Sequence, residues 1–359
     1  MLKPQEWDSV LDNIQSGSTV VCLGAELFTQ GGSTIYQQIE HQLENLDHVH
    51  LYTDGLFHFR GSADMTSFTR IKQFYQKDFL ELNQILEKLA SLPIPVFINT
   101  NPDLALRKIF QNSGLSHQYS YHHPNKPAAE LKEPSVQEPL IYNLLGDIDH
   151  RESMVLTHED LFGFLESVME GRSISRLLKE RINASYNFIF IGLPFDKWYM
   201  KVLLHFLQKD VNKRALKFAA NHAFDVDVQS FVIEEFKITC VPVKIADFVE
   251  ELHRKCGEAN LLKTPFSAPK LTHYQLWINR VKADELGDLL DDLVAFFTQN
   301  QSSDMDSQNQ LVHLNGRLAA LERMVGKGTI ANDDAVLQRN QIRDTILEFL
   351  NEKVRPLNL

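Results

Sequence analysis

Residues 18–255 alternate short, almost wholly apolar runs with longer amphipathic stretches, and few folds satisfy both patterns. The apolar runs have the length and the β-branched or aromatic content of strands, and they cover residues 18–24, 94–99, 139–145, 187–192, 216–220 and 238–243. Strands without polar alternation are expected when both faces of a parallel sheet are covered. The helix-like stretches between them cover residues 68–89, 104–112, 159–169, 198–207 and 246–255. This order predicts a doubly wound, Rossmann-like α/β domain with a mostly parallel sheet.

The pattern changes after a segment that contains one glycine and two prolines, residues 257–269. Beyond it, leucines and other apolar residues recur at helical spacing through 284–297, 309–324 and 336–350, with no strand-like run between them. We therefore predict three parts: an α/β domain over 1–257, a linker over 258–270 and a small all-α helical bundle over 271–359.

Charge and composition exclude several classes of partner. The net charge is −11 and no basic run is present, so nucleic acid and anionic membranes are not expected as partners. The longest apolar run, 186–195, is far shorter than the ~20 residues that span a bilayer. The first residues lack the pattern of a secretory signal, and the three cysteines lie far apart without metal-ligand spacing. These features predict a cytoplasmic protein that binds no metal.

The turn after the first strand has the position of a phosphate-binding loop. Backbone N–H groups at a strand-to-helix turn can bind a pyrophosphate where small residues such as Gly24 and Ala25 let it approach. The next residue is Glu26, whose carboxylate would repel a phosphate by roughly 1–4 kcal/mol at ~4 Å. The turn is therefore either a weakened phosphate loop, with the Gly-Gly-Ser run at 31–33 as a second candidate anion site, or a surface turn without a ligand.

Glycines and polar residues follow three further predicted strands, at the ends that a parallel sheet brings to one edge. These residues are Thr100, Asn101, Asp103, Gly146, Gly192 and Asp196. Asp103 precedes a leucine-rich helix and Asp196 precedes the helix from Trp198, so either carboxylate can cap backbone N–H groups. Without a ligand, all six residues would serve only to shape the turns.

The order and residue types of these turns resemble the sirtuin-like, NAD-consuming domains of bacterial defence systems. That family has Gly-Ala-Gly after the first strand, Thr-Asn-x-Asp after the next and Leu-His-Gly after a third. The resemblance implies that NAD or ADP-ribose is the ligand. It assigns the cofactor-binding positions to Gly24, Ala25, Thr100, Asn101, Asp103, Gly146, Gly192 and Asp196. Asn101 would be the catalytic residue, because it would hold the ribose and a water near the glycosidic carbon.

The general base of that family is absent at its expected position. The triplet reads Leu144-Leu145-Gly146, and the leucine at the histidine position has neither a lone pair nor a proton to exchange. The residues that follow keep the order and spacing of the family, so Leu145 is a substitution in register. His150 and His158 are the two nearby candidates for a substitute base.

The leucine-rich tail resembles the effector-associated domains of bacterial conflict systems, which are helical adaptors thought to pair with a like module on another protein. The residues that carry this resemblance lie at helical spacing and are Asn309, Leu311, Leu314, Arg317, Leu318, Leu321, Glu322, Asn340, Ile342, Ile346 and Leu347. Any helical bundle or dimerisation module would share part of this pattern.

Three hypotheses about function follow. The first is a scaffold or regulatory protein of a prokaryotic antiviral defence system. In it, a degenerate sirtuin-like domain forms homo-oligomers and is coupled by its adaptor to an ATPase, a protease or another effector. The second is an active NAD⁺ hydrolase that depletes NAD and aborts infection. The third is a sensor that binds ADP-ribose or a cyclic derivative.

Overall fold

The computed structural model shows the protein as two compact units, residues 1–266 and 267–359. The residues that it describes are 2–29, 33–43, 49–60, 64–77, 79–170, 174–208, 211–221, 224–263, 273–282, 284, 286–300, 305–326, 329–330 and 332–354. The second half of the predicted linker, and the glycines of the 31–33 run, therefore lie outside the described residues. The domain boundaries stay a prediction.

A seven-stranded, wholly parallel sheet forms the centre of the first unit, which confirms the predicted fold class. In spatial order its strands are β5 (Gln118–Tyr121), β6 (Leu140–Asn143), β4 (Val96–Asn99), β1 (Thr19–Leu23), β7 (Asn187–Ile191), β8 (Leu216–Asn221) and β9 (Thr239–Pro242). In the central strand, Val20 is in register with Val96 on one side and with Phe188 on the other. An antiparallel hairpin of β2 (Val49–Leu51) and β3 (Phe57–Phe59) is separate from this sheet.

Helices cover both faces of the sheet. One face packs against α1 (Pro4–Gln15), α2 (Ile35–Leu43), α3 (Asp64–Tyr75), α4 (Leu80–Ser91), α5 (Ala105–Asn112) and α10 (Ile245–Glu258). The other packs against α6 (His158–Met169), α7 (Arg176–Asn183), α8 (Trp198–Gln208) and α9 (Val226–Phe236). Alternate residues of β1 enter the two cores, with Val21 and Leu23 on the first face and Val20 and Cys22 on the second. This burial on both faces explains why the strand is continuously apolar.

The predicted helical stretch 68–89 was wrong in one respect, because it is two helices rather than one. The chain between α3 and α4 contains Phe79, whose extended backbone (φ −108°, ψ 94°) starts the second helix in a new direction. The Phe79 ring packs edge-on against Phe28 at 5.6 Å, and Phe28 also contacts Tyr75 at 5.8 Å. The break is fixed by these tertiary contacts, which the periodicity of the sequence does not reveal.

The second unit is helical throughout its described residues, as the leucine spacing predicts. It contains α11 (His273–Lys282), α12 (Leu286–Asn300), α13 (Met305–Gly326) and α14 (Asn332–Phe349), followed by one π-helical turn at Leu350–Val354. Most of their leucines, with Trp277, Phe297 and Phe349, form one hydrophobic core. Across the part of the chain that the structure describes, no helix is long and apolar enough to cross a membrane.

Candidate functional site

The direction in which strands join the sheet reverses at β1. From β1 the chain proceeds to β4 on one side, and after β6 it returns to β7 on the other side of β1. In open α/β sheets, ligands bind at such a reversal, outside the carboxyl ends of the strands. The turns at this edge are 24–28, 100–104, 144–150 and 192–197, and together they carry every site residue predicted from the sequence.

Gly24 and Gly192 hold the turns after β1 and β7 against each other. Gly24 N donates to Ile191 O, and Glu26 N donates to Gly192 O, both at 3.0 Å. A Cβ atom on Gly24 would lie 2.3 Å from Gly192 O, and one on Gly192 would lie 2.9 Å from Leu27 N. Gly192 also has a positive φ of 66°, which favours glycine. The contact between the two turns therefore requires both glycines, with or without a phosphate.

The backbone donors of the 24–28 turn are largely used within the protein. Residues 25–28 form a 3-10 helix, and Leu27 N donates to Gly24 O at 3.2 Å. Together with the two bonds from Gly24 N and Glu26 N, three N–H groups of the turn have protein acceptors. Ala25 is buried. A phosphate loop needs free N–H groups that point at the ligand, so this turn is poorly prepared to bind a pyrophosphate.

The Glu26 carboxylate lies at the edge of the sheet where that pyrophosphate would be expected. Its Oε2 accepts a hydrogen bond from Asn221 Nδ2 at the end of β8. Burial raises the pKa of Glu26 to about 7, the charge of Asp196 adds to this effect, and Lys197 opposes it. At neutral pH the site therefore presents a carboxyl group that is close to half ionised, and its anionic form would repel a phosphate.

Lys197 is the cation beside Glu26, and it already has protein partners. Its Nζ lies 3.0 Å from Asp196 Oδ2, donates to Thr53 O at 2.9 Å, and lies 5.8 Å from the centre of the Tyr36 ring. These contacts connect the turn after β7 to the loop of the β2–β3 hairpin. Lys197 is therefore held as a structural link and not as an open phosphate-binding cation.

The loop of the hairpin is fastened above this edge by Asp54. Asp54 Oδ2 accepts hydrogen bonds from His158 Nε2 at 3.0 Å and from Trp198 Nε1 at 3.1 Å. Burial acts to raise the pKa of Asp54, but these bonds and one from Leu56 N hold it below its ordinary value. His158, one candidate for the substitute base, therefore serves as an anchor for the hairpin.

The turn after β4 is built from side chains that bond to the backbone. Thr100 Oγ1 donates to Leu23 O at 3.0 Å, which joins this turn to the end of β1. Asp103 accepts from Asn99 Nδ2 at 3.0 Å and from Ala105 N at 2.8 Å, at the start of α5. Burial raises the pKa of Asp103. Thr100 and Asp103 thus have structural partners that account for their residue types.

Asn101 differs from its neighbours in this turn. Its side chain is only 3% exposed. Its backbone N–H donates to Asn99 Oδ1 at 3.0 Å, but its Nδ2 has no hydrogen-bond partner among the residues that the structure describes. A buried amide without a partner costs about 1–3 kcal/mol. Such a group is expected where a ligand or an ordered water supplies the missing acceptor.

Leu145, in the turn after β6, is enclosed in hydrocarbon. It is 7% exposed and belongs to the core cluster that also contains Leu56 of the hairpin and Leu144. Gly146 has a φ of 97°, and a Cβ atom there would lie 2.1 Å from Ser153 O, so the packing of the turn requires this glycine. Position 145, where the resemblance leads us to expect a histidine, is therefore part of the apolar core.

His150, the other candidate base, lies in a separate cluster near the end of β5. Its Nδ1 is 3.3 Å from Asp147 Oδ1, and its ring stacks on Tyr121 with 4.9 Å between centres. Asp147 is buried and also accepts hydrogen bonds from the Tyr119 hydroxyl and from Asp149 N. This network orients the imidazole, but it also accounts for His150 as part of a stable turn.

The sequence identified the turns, but it missed most of their partners. The structure places Gly24, Ala25, Gly192 and Asp196 beside β1 and β7, and it places Thr100, Asn101, Asp103 and Gly146 beside β4 and β6. Asn221, Tyr119 and the hairpin loop 52–56 were not predicted. Their contacts join residues 28 to 195 positions apart, and no local pattern marks such pairs.

Comparisons with known proteins agree with this architecture. Residues 95–238 match the family model of the SIR2-like domain, and residues 272–353 match that of effector-associated domain 11. A solved structure described as "Structural Basis for the Mechanism and Regulation of Sir2 Enzymes" aligns with a TM-score of 0.38 and 12% sequence identity, over 71% of this chain and 99% of that chain. No curated protein matches the chain significantly. The chain therefore carries a SIR2-like domain followed by an effector-associated domain.

Proposed function

We propose that this protein is a scaffold or regulatory component of a prokaryotic antiviral defence system, and that its SIR2-like domain does not hydrolyse NAD⁺. The observation that carries the proposal is Leu145, buried in an apolar cluster where the family has its general base. Loss of a general base costs about 10²–10⁴-fold in rate. His158 is engaged with Asp54, so it is a poor substitute.

The closed turn after β1 supports the same proposal. A pyrophosphate there would meet the Glu26 carboxylate, and three of the N–H groups of the turn already have acceptors. The cost of binding adds to the cost of the missing base. NAD or ADP-ribose is then bound weakly or not at all, and no metal is required.

The helical unit gives such a protein its role. We infer that residues 271–359 bind a like module on an ATPase, a protease or another effector, and that the SIR2-like domain forms homo-oligomers. The test is co-purification of partners with the full chain and with a truncation at residue 268. We expect the truncation to lose the partners. If it retained every one of them, the adaptor role would be wrong.

Catalysis is tested by release of nicotinamide from NAD⁺. We expect no release by the purified full-length protein under conditions in which an intact family member is active. Release that persists with the wild type and disappears in Asn101→Ala would overturn the proposal. The double variant Glu26→Gly/Leu145→His is the matched gain-of-function control, since it restores the residue types of the family at both altered positions.

The second candidate function is NAD⁺ hydrolysis, and one observation favours it. The unpartnered Nδ2 of Asn101 is the kind of group that would be completed by a ribose hydroxyl or a bound water. The nicotinamide bond has a good leaving group, so orientation by Asn101 alone would give some rate. Nicotinamide release, measured together with a thermal shift by ADP-ribose, separates this candidate from a sensor, because a sensor would be stabilised by the nucleotide without consuming NAD⁺.

A further inference from the structure

A second cleft lies on the first unit, away from the edge that carries the SIR2-like motifs. It has a volume of about 450 Å³ and lies between α8 and α9, beside the first half of β8. Lys217, which lines it, precedes Asn221 at the Glu26 crevice by four residues of the same strand. At about 3.3 Å per residue this is roughly 13 Å along the strand. The volume is in the range of small-molecule sites.

Aromatic side chains form the apolar part of this cleft. Phe206, Phe231 and Phe236 line it together with Val202. Phe231 and Phe236 pack edge to face with 5.7 Å between ring centres. Phe231 is 38% exposed, so its ring is accessible to a ligand. An exposed ring beside a cavity of this size can stack against a planar aromatic group.

The polar groups of the cleft are mainly hydrogen-bond donors. Lys201, His205, Lys217 and Gln208 line it, and Glu235 is the one carboxylate among its described lining residues. Lys201 Nζ lies 4.9 Å from the centre of the Phe231 ring, so a cation and an exposed ring are adjacent. In a chain with a net charge of −11, this is a local concentration of positive charge.

Gln208 gives the cleft an unused donor. Lys217 Nζ donates to Gln208 Oε1 at 2.7 Å and to Phe236 O at 3.2 Å. The first of these bonds fixes which end of the Gln208 amide faces the lysine. The amide nitrogen, Nε2, is buried and has no partner among the described residues. The lysine and the amide therefore lie side by side in the wall of the cleft, with the ammonium group held by two protein acceptors.

We propose that this cleft binds a small aromatic anion, and that a nucleoside monophosphate is the class it fits. The base would stack on Phe231, and the phosphate would accept from Lys201 and Lys217. The cleft is separate from the Asn101 crevice, so the proposal goes beyond the proposed function and does not depend on it. A ligand here would contact α8, the helix that begins with Trp198 at the hairpin anchor.

The first test is calorimetric titration of the full-length protein with adenosine 5′-monophosphate. We expect saturable binding at one site, with adenosine and inorganic phosphate each binding roughly tenfold more weakly, because each lacks one of the two recognised groups. Absence of binding at millimolar nucleotide would overturn the proposal. Phosphate that bound as tightly as the nucleotide would also overturn it, because the aromatic wall would then contribute nothing.

Variants locate the site. We expect Phe231→Leu, which keeps apolar bulk but removes the aromatic face, to weaken binding roughly fivefold or more. Lys201→Ala should weaken it about two- to fivefold. Lys213→Ala is the matched control, since Lys213 is exposed, lies close in sequence and does not line the cleft. If Lys213→Ala weakened nucleotide binding as much as Lys201→Ala, the nucleotide would be attracted by general positive charge and not by the cleft. If only Asn101→Ala abolished binding, the nucleotide would bind in the Asn101 crevice. Either result would overturn the proposal.

Discussion

The turns after β4 and β6 belong to neighbouring strands, yet they have opposite character. The turn after β4 keeps a buried amide, Asn101 Nδ2, without a described partner. The turn after β6 buries Leu145 in the apolar core. The turn after β4 therefore has a polar group that could bind a ligand, whereas the Leu145 side chain in the turn after β6 packs in the core.

The comparison extends to the turns after β1 and β7, which are fixed by contacts within the chain. There, Gly24 and Gly192 touch, and Glu26 is bonded to Asn221. Two buried side-chain atoms near these turns, Asn101 Nδ2 after β4 and Asn143 Oδ1 at the end of β6, have no partner among the described residues. Residual ligand binding would thus depend on these two amides, and the contacts of the turns after β1 and β7 would serve stability.

The largest expected effect is on the contact between the turns after β1 and β7. Gly24→Ala would place a Cβ atom 2.3 Å from Gly192 O, which the backbone cannot accommodate without moving. We expect a loss of roughly 3 kcal/mol or more in the free energy of unfolding, as for other severe overpacking. Chemical denaturation measures it. Gly163→Ala is the matched control because its Cβ would meet nothing within 4 Å, and it should stabilise α6 by about 0.5–1 kcal/mol. If Gly24→Ala and Gly163→Ala changed the free energy of unfolding equally, the close contact between Gly24 and Gly192 would be wrong.

The second prediction compares how much a side chain in the turn after β4 and one in the turn after β6 contribute to stability. Leu145→Ala should cost about 2–4 kcal/mol of unfolding free energy, because it leaves a cavity in the core. Asn101→Ala should change it by less than about 1 kcal/mol, because it removes a buried amide that has no described partner. Urea denaturation of both variants under one condition measures the difference. A costly Asn101→Ala substitution would show that the amide does contribute to the fold.

The third prediction concerns pH and Glu26. Its folded pKa is raised to about 7, so the folded state binds a proton more tightly than the unfolded state. Its contribution to stability is therefore present below the unfolded pKa and is lost as the pH rises through about 7. Glu26→Gln should be more stable than wild type at pH 8, by about 1–2 kcal/mol after allowance for partial exposure, and nearly equal to it at pH 5. Paired melting curves at the two pH values test this, and a constant difference would contradict it.

The smallest expected effect is at the hairpin anchor. Asp54→Asn should cost about 1 kcal/mol at pH 7, because it removes charge from the bonds to His158 and Trp198. The folded pKa of Asp54 is lowered, so its contribution is present above the unfolded pKa and is lost as the pH falls through the folded value. The gap between variant and wild type should close on acidification below about pH 4. If the stability difference between wild type and Asp54→Asn grew at acidic pH, the role of ionised Asp54 as the hairpin anchor would be wrong.

The sequence predicted the sheet because its strands are buried on both faces and so read as unbroken apolar runs. The edge strand β5, Gln-Tyr-Ser-Tyr, was not predicted, because its partly exposed polar residues do not form an apolar run. The candidate site positions were predicted from the glycines and polar residues that follow each apolar run. The packing roles of Gly24 and Gly192 could not be predicted, because each glycine contacts backbone that lies far away in the chain. Gly146 contacts Ser153, which is near in sequence, but the contact depends on how the turn folds back.

The contact between Gly24 and Gly192 has a consequence for how this domain can change over generations. Because each glycine contacts the backbone of the other turn, a larger residue at either position would require that backbone to move. Glycine at position 26 alone would thus leave the donors of the turn committed to its neighbour. We therefore expect the two loops to change together, since the backbone of each one limits the side chains that the other can carry.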